Sequence, residues 1–212
     1  MIIHDCEQGT PEWFQARLGI PTASCFDQII TAKTAKLSSS SIKYMACLLA
    51  ERIMQKPLDK FEVKPYWMER GNQLEQEAAD MYCFLNETTV QTAGFITLDD
   101  RSAGCSVDRL VGDDGILEIK CPAPWTHAEN IISGELDDNY KQQVQGQMYI
   151  TGRKWVDWMS YHPEMPPCWR VQRLRARCLV FRFTRETDAD LSQLPRNDRR
   201  TRLAIHVQRW KS

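Results

Sequence analysis

The sequence has no run approaching the roughly 18 uninterrupted apolar residues of a bilayer span, and its opening Met1-Ile2-Ile3-His4-Asp5 lacks a basic region followed by an apolar one. Neither a membrane protein nor an exported one is therefore expected, and the cytoplasm is the expected compartment. It also lacks any C-x-x-C pair. Its eight cysteines approach no closer in sequence than the ten residues between Cys168 and Cys178, which argues against a disulfide framework or a thiolate zinc site. They read as reduced, mostly buried thiols, with Cys121 a packing group rather than a reactive one. Histidines are few and far apart (His4, His127, His162 and His206), so no zinc site is read from them. Glycine and proline number only ten each, which excludes collagenous and low-complexity chains. What remains is 212 residues, 42% hydrophobic and 26% charged, ample for one sizeable core. The seven tryptophans read as part of that core, with Trp13 and Trp155 in apolar surroundings.

The formal net charge of −1 gives no support for a nucleic-acid partner, but its distribution is uneven: residues 1–152 carry a net −9 and residues 153–212 a net +8. Arg173, Arg175 and Arg177 recur at period two, and Arg196, Arg199, Arg200 and Arg202 follow in a helical pattern. A basic surface for DNA and a merely solvated face, or a contact with an acidic subunit, both fit this arrangement.

Periodicity predicts helices over 11–16, 22–31, 39–55 and 66–85, then short strands over 90–93, 95–98, 103–111 and 116–121, the last two joined by Gly112-Asp113-Asp114-Gly115 as a hairpin. Helices at 126–132 and 138–151, strands at 155–162 and 171–183, and a terminal helix broken near Pro195 complete the chain. The expected fold is α/β, a central mixed sheet flanked by helices. One domain spans 1–212, with a helical part at about 10–86, a sheet core at about 90–183 and a basic helical segment at about 186–212.

Two features of this pattern carry chemistry. Alternation places Ser106 and Asp108 on one face of the first hairpin strand and Glu118 and Lys120 on one face of the second, with Asp108 almost opposite Glu118. Facing carboxylates repel unless a positive charge lies between them, and hard oxygen ligands of this kind suit Mg²⁺, with phosphodiester chemistry as the natural use. Lys120 is placed to hold a water or to neutralise charge developing on the phosphorus. On the helix at 66–85, Glu75 falls at the spacing of Ala78, Ala79 and Tyr82, on the apolar side, and is expected to point inward.

The run Cys105-Ser106-Val107-Asp108 with Glu118-Ile119-Lys120-Cys121-Pro122 resembles the PD-(D/E)xK nuclease motif, in the form found in the lambda exonuclease/YqaJ-type viral recombination nucleases. Three further blocks match in order: Trp13 to Gly19 with Thr22-Ala23-Ser24, Arg70-Gly71-Asn72-Gln73-Leu74-Glu75, and Gln143-Val144-Gln145-Gly146-Gln147-Met148-Tyr149. Val107 departs from the motif's usual proline, a position that contributes backbone shape and not a ligand.

The resemblance implies a restriction-endonuclease-like core and a Mg²⁺-dependent enzyme, with Mn²⁺ able to substitute. It implies metal ligation by Asp108, Glu118 and the backbone carbonyl of Ile119, assisted by Glu75, with Lys120 and Gln143 orienting the water or the scissile phosphate. Arg17, Ser24 and Ser106 would receive a 5′-phosphate, and Met68 would part the terminal base pairs. It further implies a ring-shaped homotrimer acting on double-stranded DNA ends, digesting 5′ to 3′ and leaving 3′ single strands for an annealing protein. Two alternatives from the residues stay open: a PD-(D/E)xK endonuclease, of restriction or junction-resolving type, and a DNA-binding module whose nuclease site has decayed.

Overall fold

A computed structural model describes residues 1–34, 36–58 and 66–173. The strand expected beyond residue 173, the terminal helix and the arginines from Arg175 to Arg202 lie outside the described residues, as does the side chain of Met68.

The chain enters through a short strand β1 (Ile2–His4) that the sequence pattern did not indicate, then forms α1 (Pro11–Arg17), a 3-10 helix (Ala23–Gln28), α2 (Ser41–Met54) and α3 (Tyr66–Asn86). Strands β2 (Val90–Gln91), β3 (Phe95–Thr97), β4 (Gly104–Ser106), β5 (Arg109–Val111) and β6 (Gly115–Lys120) follow. Helices α4 (Pro124–Ser133) and α5 (Asp138–Thr151) and strands β7 (Trp155–Ser160) and β8 (Cys168–Arg173) complete it. Thr10 starts α1 by accepting from the Trp13 N–H, and Pro11 occupies the first turn, where no amide hydrogen is needed.

The α/β class is as expected, but the sheet is divided in two. A three-stranded sheet has the order β1-β3-β4, and a five-stranded mixed sheet has the order β2-β5-β6-β7-β8, with β6 and β7 its parallel pair. The run at 103–111 alternates as far as Asp108 and carries no turn residue beyond it, yet it forms two strands. Ser106 ends β4 opposite Phe95 in one sheet, and Arg109 begins β5 opposite Leu117 in the other. Between them Val107 is fully buried, and its carbonyl accepts from Gln8 Nε2. Likewise the region expected as a helix over 22–31 is a six-residue 3-10 helix.

Both faces of the larger sheet are covered, so β6 reads as a nearly continuous buried strand. Ile116 packs into a core with Phe26, Val144, Met148 and Trp158, beneath α5 and the 3-10 helix. Leu117 and Ile119 pack into a second core with Ala78, Ala79, Tyr82 and Met159, beneath α3. Period-two alternation then puts Glu118 and Lys120 on the α5 side. The Gly112 turn, at φ +49°, is held by Arg153, whose Nη1 donates to the carbonyls of Val111, Gly112 and Gly115.

Candidate active site

Glu118 is buried, at 1% exposure, and each of its oxygens is met by a donor. Lys120 Nζ and Gln143 Nε2 both donate to Oε1 at 2.5 Å, and Gln147 Nε2 donates to Oε2 at 2.6 Å. Helix α5 supplies the two glutamines from one face, four residues apart, directly over β6.

Asp108 lies one step before β5, in line with Glu118. Its Oδ2 accepts from the Ile119 N–H at 2.6 Å. Because a residue's N–H and C=O point to the same side of a strand, the Ile119 carbonyl is directed toward Asp108 as well, away from β7. Burial pushes the Asp108 carboxyl well above the usual carboxylate range, and Glu118 and Glu75 add to this against the opposing effect of Lys120. Burial works to lower the Lys120 ammonium, but Glu118 and Asp108 outweigh it and hold Lys120 above its ordinary value, firmly charged.

Glu75 approaches from the α3 side of the sheet and is half-buried. Arg109 Nη1 grips its Oε1 at 2.6 Å, while also donating to the Asp108 carbonyl, and Nη2 donates to Gln76. Glu75 thus points toward the site through an ion pair and not into apolar packing.

Arg17 and Ser106 meet in a second cluster on the other side of Gln147. Arg17 Nη1 donates to Ser106 Oγ at 3.2 Å, and Trp13 Nε1 donates to the same oxygen at 2.9 Å. The Arg17 guanidinium stacks on the Trp13 ring, 4.0 Å from its centre. Burial lowers the Arg17 pKa from its ordinary value, and Cys25, on the 3-10 helix, is among the groups opposing this. Ser24, next to Cys25, is exposed and shares a hydrogen bond with Thr22.

The turn between α1 and the 3-10 helix is fixed by α2. Gly19 N–H donates to Glu51 and its carbonyl accepts from Arg52, while Tyr44 Oη accepts from Thr22 N–H.

The structure thus brings Asp108, Glu118, Lys120 and Gln143 together, sets Glu75 beside them across Arg109, and places Arg17 with Ser106. Three participants escaped sequence reading. Gln147 was detectable as the residue one helical turn beyond Gln143. Arg109 was not, since an uninterrupted strand would have turned it away from its neighbour's chemistry. Trp13, expected in the core, is instead half-buried and stacked under Arg17.

The family model of the YqaJ-like viral recombinase domain matches residues 12–154. No curated protein matches the chain. Among solved structures, the alkaline exonuclease LHK-Exo of Laribacter hongkongensis is 32% identical over 95% of this chain and 96% of its own, with a TM-score of 0.74. Its complex with dAMP gives the same figures. A phage-related exonuclease from Haemophilus somnus 129PT shares the fold, with a TM-score of 0.59 at 14% identity, over 80% of this chain and 91% of that one. Motif, fold and family model agree, and the chain belongs to the YqaJ-like viral recombinase family, a group of recombination exonucleases.

Proposed function

We propose that this protein is a divalent-metal-dependent 5′-to-3′ exonuclease that digests one strand of linear duplex DNA from a 5′-phosphorylated end. The observation that carries the reading is the pairing of buried Glu118 with half-buried Asp108 beside Lys120, within one side chain's reach of the Arg17–Ser106 cluster. Two carboxylates and a backbone carbonyl are hard oxygen donors, a set that fits Mg²⁺, with Mn²⁺ as a substitute. In this reading Asp108, Glu118 and the Ile119 carbonyl hold the ion, and Glu75, steadied by Arg109, adds negative charge to the set. Such an ion lowers the pKa of bound water and offsets charge at the phosphoryl group.

The chain's own groups supply the rest. Lys120 stays protonated against Glu118 and stabilises charge developing on the scissile phosphate, and Gln143 orients the water or that phosphate from α5. Arg17, with Ser106 and with Ser24 from the 3-10 helix, receives the terminal 5′-phosphate, its planar fork matching two oxygens. Met68, in α3, is assigned the wedge that parts the terminal pairs. The family relationship favours a ring-shaped homotrimer, a cytoplasmic setting and hand-over of 3′ single strands to an annealing protein. A relative that binds dAMP accords with mononucleotide release.

The test is digestion of linear duplexes labelled at either end, with and without Mg²⁺, alongside covalently closed circles. Loss of the 5′ label first, only with metal and only from linear DNA, is the expected result. Cleavage of circles would point to an endonuclease, and inactivity under every metal condition would point to a decayed module.

A further inference from the structure

Gln147 stands between the two clusters and bonds to both. It is fully buried, and its Nε2 donates at once to Glu118 Oε2 at 2.6 Å and to the Ser106 carbonyl at 3.2 Å. The amide cannot be turned over, because that would set its oxygen against the Glu118 carboxylate. Its Oε1 is buried with no hydrogen-bond partner among the described residues. A buried acceptor left unpaired is costly, and an apolar side chain of the same length would fill the space without that cost. The amide is therefore kept for what its nitrogen does.

We infer that Gln147 is a positioning residue that sets the rotation of the Glu118 carboxylate for metal binding and locks it to β4, the strand that carries Ser106. The reasoning is geometric. Lys120 and Gln143 both act on Oε1, and Gln147 holds the opposite oxygen, Oε2. With donors on both oxygens, the plane is held at two points and loses that second anchor when Gln147 is removed. By sharing its second hydrogen bond with Ser106, Gln147 refers that plane to the same strand whose hydroxyl accepts from Arg17 and Trp13. Partners that orient metal ligands in this way commonly change affinity or activity by about 10–100-fold when removed.

This inference rests on the proposed metal site, so the experiment includes a control for it. Mn²⁺ alone is titrated calorimetrically into wild type, Gln147→Met, Gln147→Leu and Glu118→Ala without DNA, and kcat and KM are measured on a 5′-phosphorylated duplex. Gln147→Met keeps the volume and removes the donor, and Gln147→Leu repeats the test with a different shape. The expected result is Mn²⁺ affinity weakened by about 10–100-fold in both, with kcat reduced and KM for the duplex little changed. If Gln147 only packs α5 on β4, the Met variant keeps both values within twofold of wild type, and the inference is overturned. If Glu118→Ala also binds Mn²⁺ normally, the metal site itself is wrongly placed.

Discussion

At the scale of single residues, the grouping of the proposed site was legible because its members are local to a hairpin. Glu118 and Lys120 share a face by alternation alone, and counting back through the turn reaches Asp108. These residues give the first prediction. Asp108→Ala and Glu118→Ala should each abolish metal-dependent digestion while leaving duplex binding in place, since in the proposed site they supply the carboxylate oxygens that hold the ion. Lys120→Ala should cost about a hundredfold or more in kcat, the scale of losing one electrostatic stabiliser of the transition state. Near-normal turnover by either carboxylate variant would remove the site assignment.

The Arg17 prediction is independent of the metal. The wild type should prefer 5′-phosphate over 5′-hydroxyl ends, and Arg17→Ala should shrink that ratio sharply. Arg17→Lys should not restore it, because a point charge replaces a planar fork and its stacking on Trp13. An unchanged ratio would place phosphate recognition elsewhere, at Lys33, Lys36 or the carboxyl-terminal arginines. What sequence reading missed here was Trp13, whose indole looks the same in a list of residues whether it fills a core or supports a cation.

At the scale of elements, the helices with strong periodicity and clear boundaries were readable. Helix α5 begins and ends where its pattern does, with Asp137 accepting from Asn139 N–H at its start and Gly152 closing it at φ +69°. The break between β4 and β5 was not readable, because alternation continues through Val107 and only the partners change, from β3 to β6. The 3-10 helix was overestimated for a similar reason: its apolar residues are real, but they pack on α5 within six residues.

That packing yields a prediction. A Cβ added at Gly146 would meet Phe26 side-chain carbons at 2.6 Å and the Ala23 Cβ at 3.2 Å. Alanine is the better helix former by roughly 0.5–1 kcal/mol. Overpacking a fully buried contact costs about 1–3 kcal/mol and should win. Gly146→Ala is therefore expected to lower the midpoint of chemical unfolding, and to disturb the Arg17 side of the site by displacing the 3-10 helix. A gain in stability would show that Phe26 swings aside freely.

At the scale of the whole molecule, one sheet serves two cores, and polar groups that end up between layers must find partners there. His127 on α4 is such a group. It is fully buried, with its Nε2 donating to the Pro166 carbonyl at 3.0 Å and its Nδ1 accepting from Ser160 Oγ at 2.7 Å, where Asn130 also donates. Among the described residues, His162 is a titratable group facing it, its ring centre 6.2 Å away and in contact with Arg70. The four histidines were too scattered in sequence to indicate this pairing, which the β7 end and α4 create only on folding.

Burial lowers the His127 pKa below its ordinary value of 6.5, and the proximity of His162 acts in the same direction. The unfolded chain therefore takes up a proton near pH 6.5 that the folded chain refuses. This contribution is absent above that pH and destabilises the fold increasingly as pH falls, at up to about 1.4 kcal/mol per unit. Urea unfolding of wild type and His127→Gln at pH 8, 7, 6 and 5 isolates it, because groups common to both proteins, the Asp108 carboxyl included, cancel in the difference. At pH 8 the variant should be the less stable, having lost two buried hydrogen bonds. Below pH 6.5 the gap should narrow with each unit, since only the wild type has a histidine here to protonate on unfolding. A gap that stays constant from pH 8 to pH 5 would mean that His127 is protonated in the folded protein as readily as in the unfolded chain, and that the layer between α4 and β7 admits a charge.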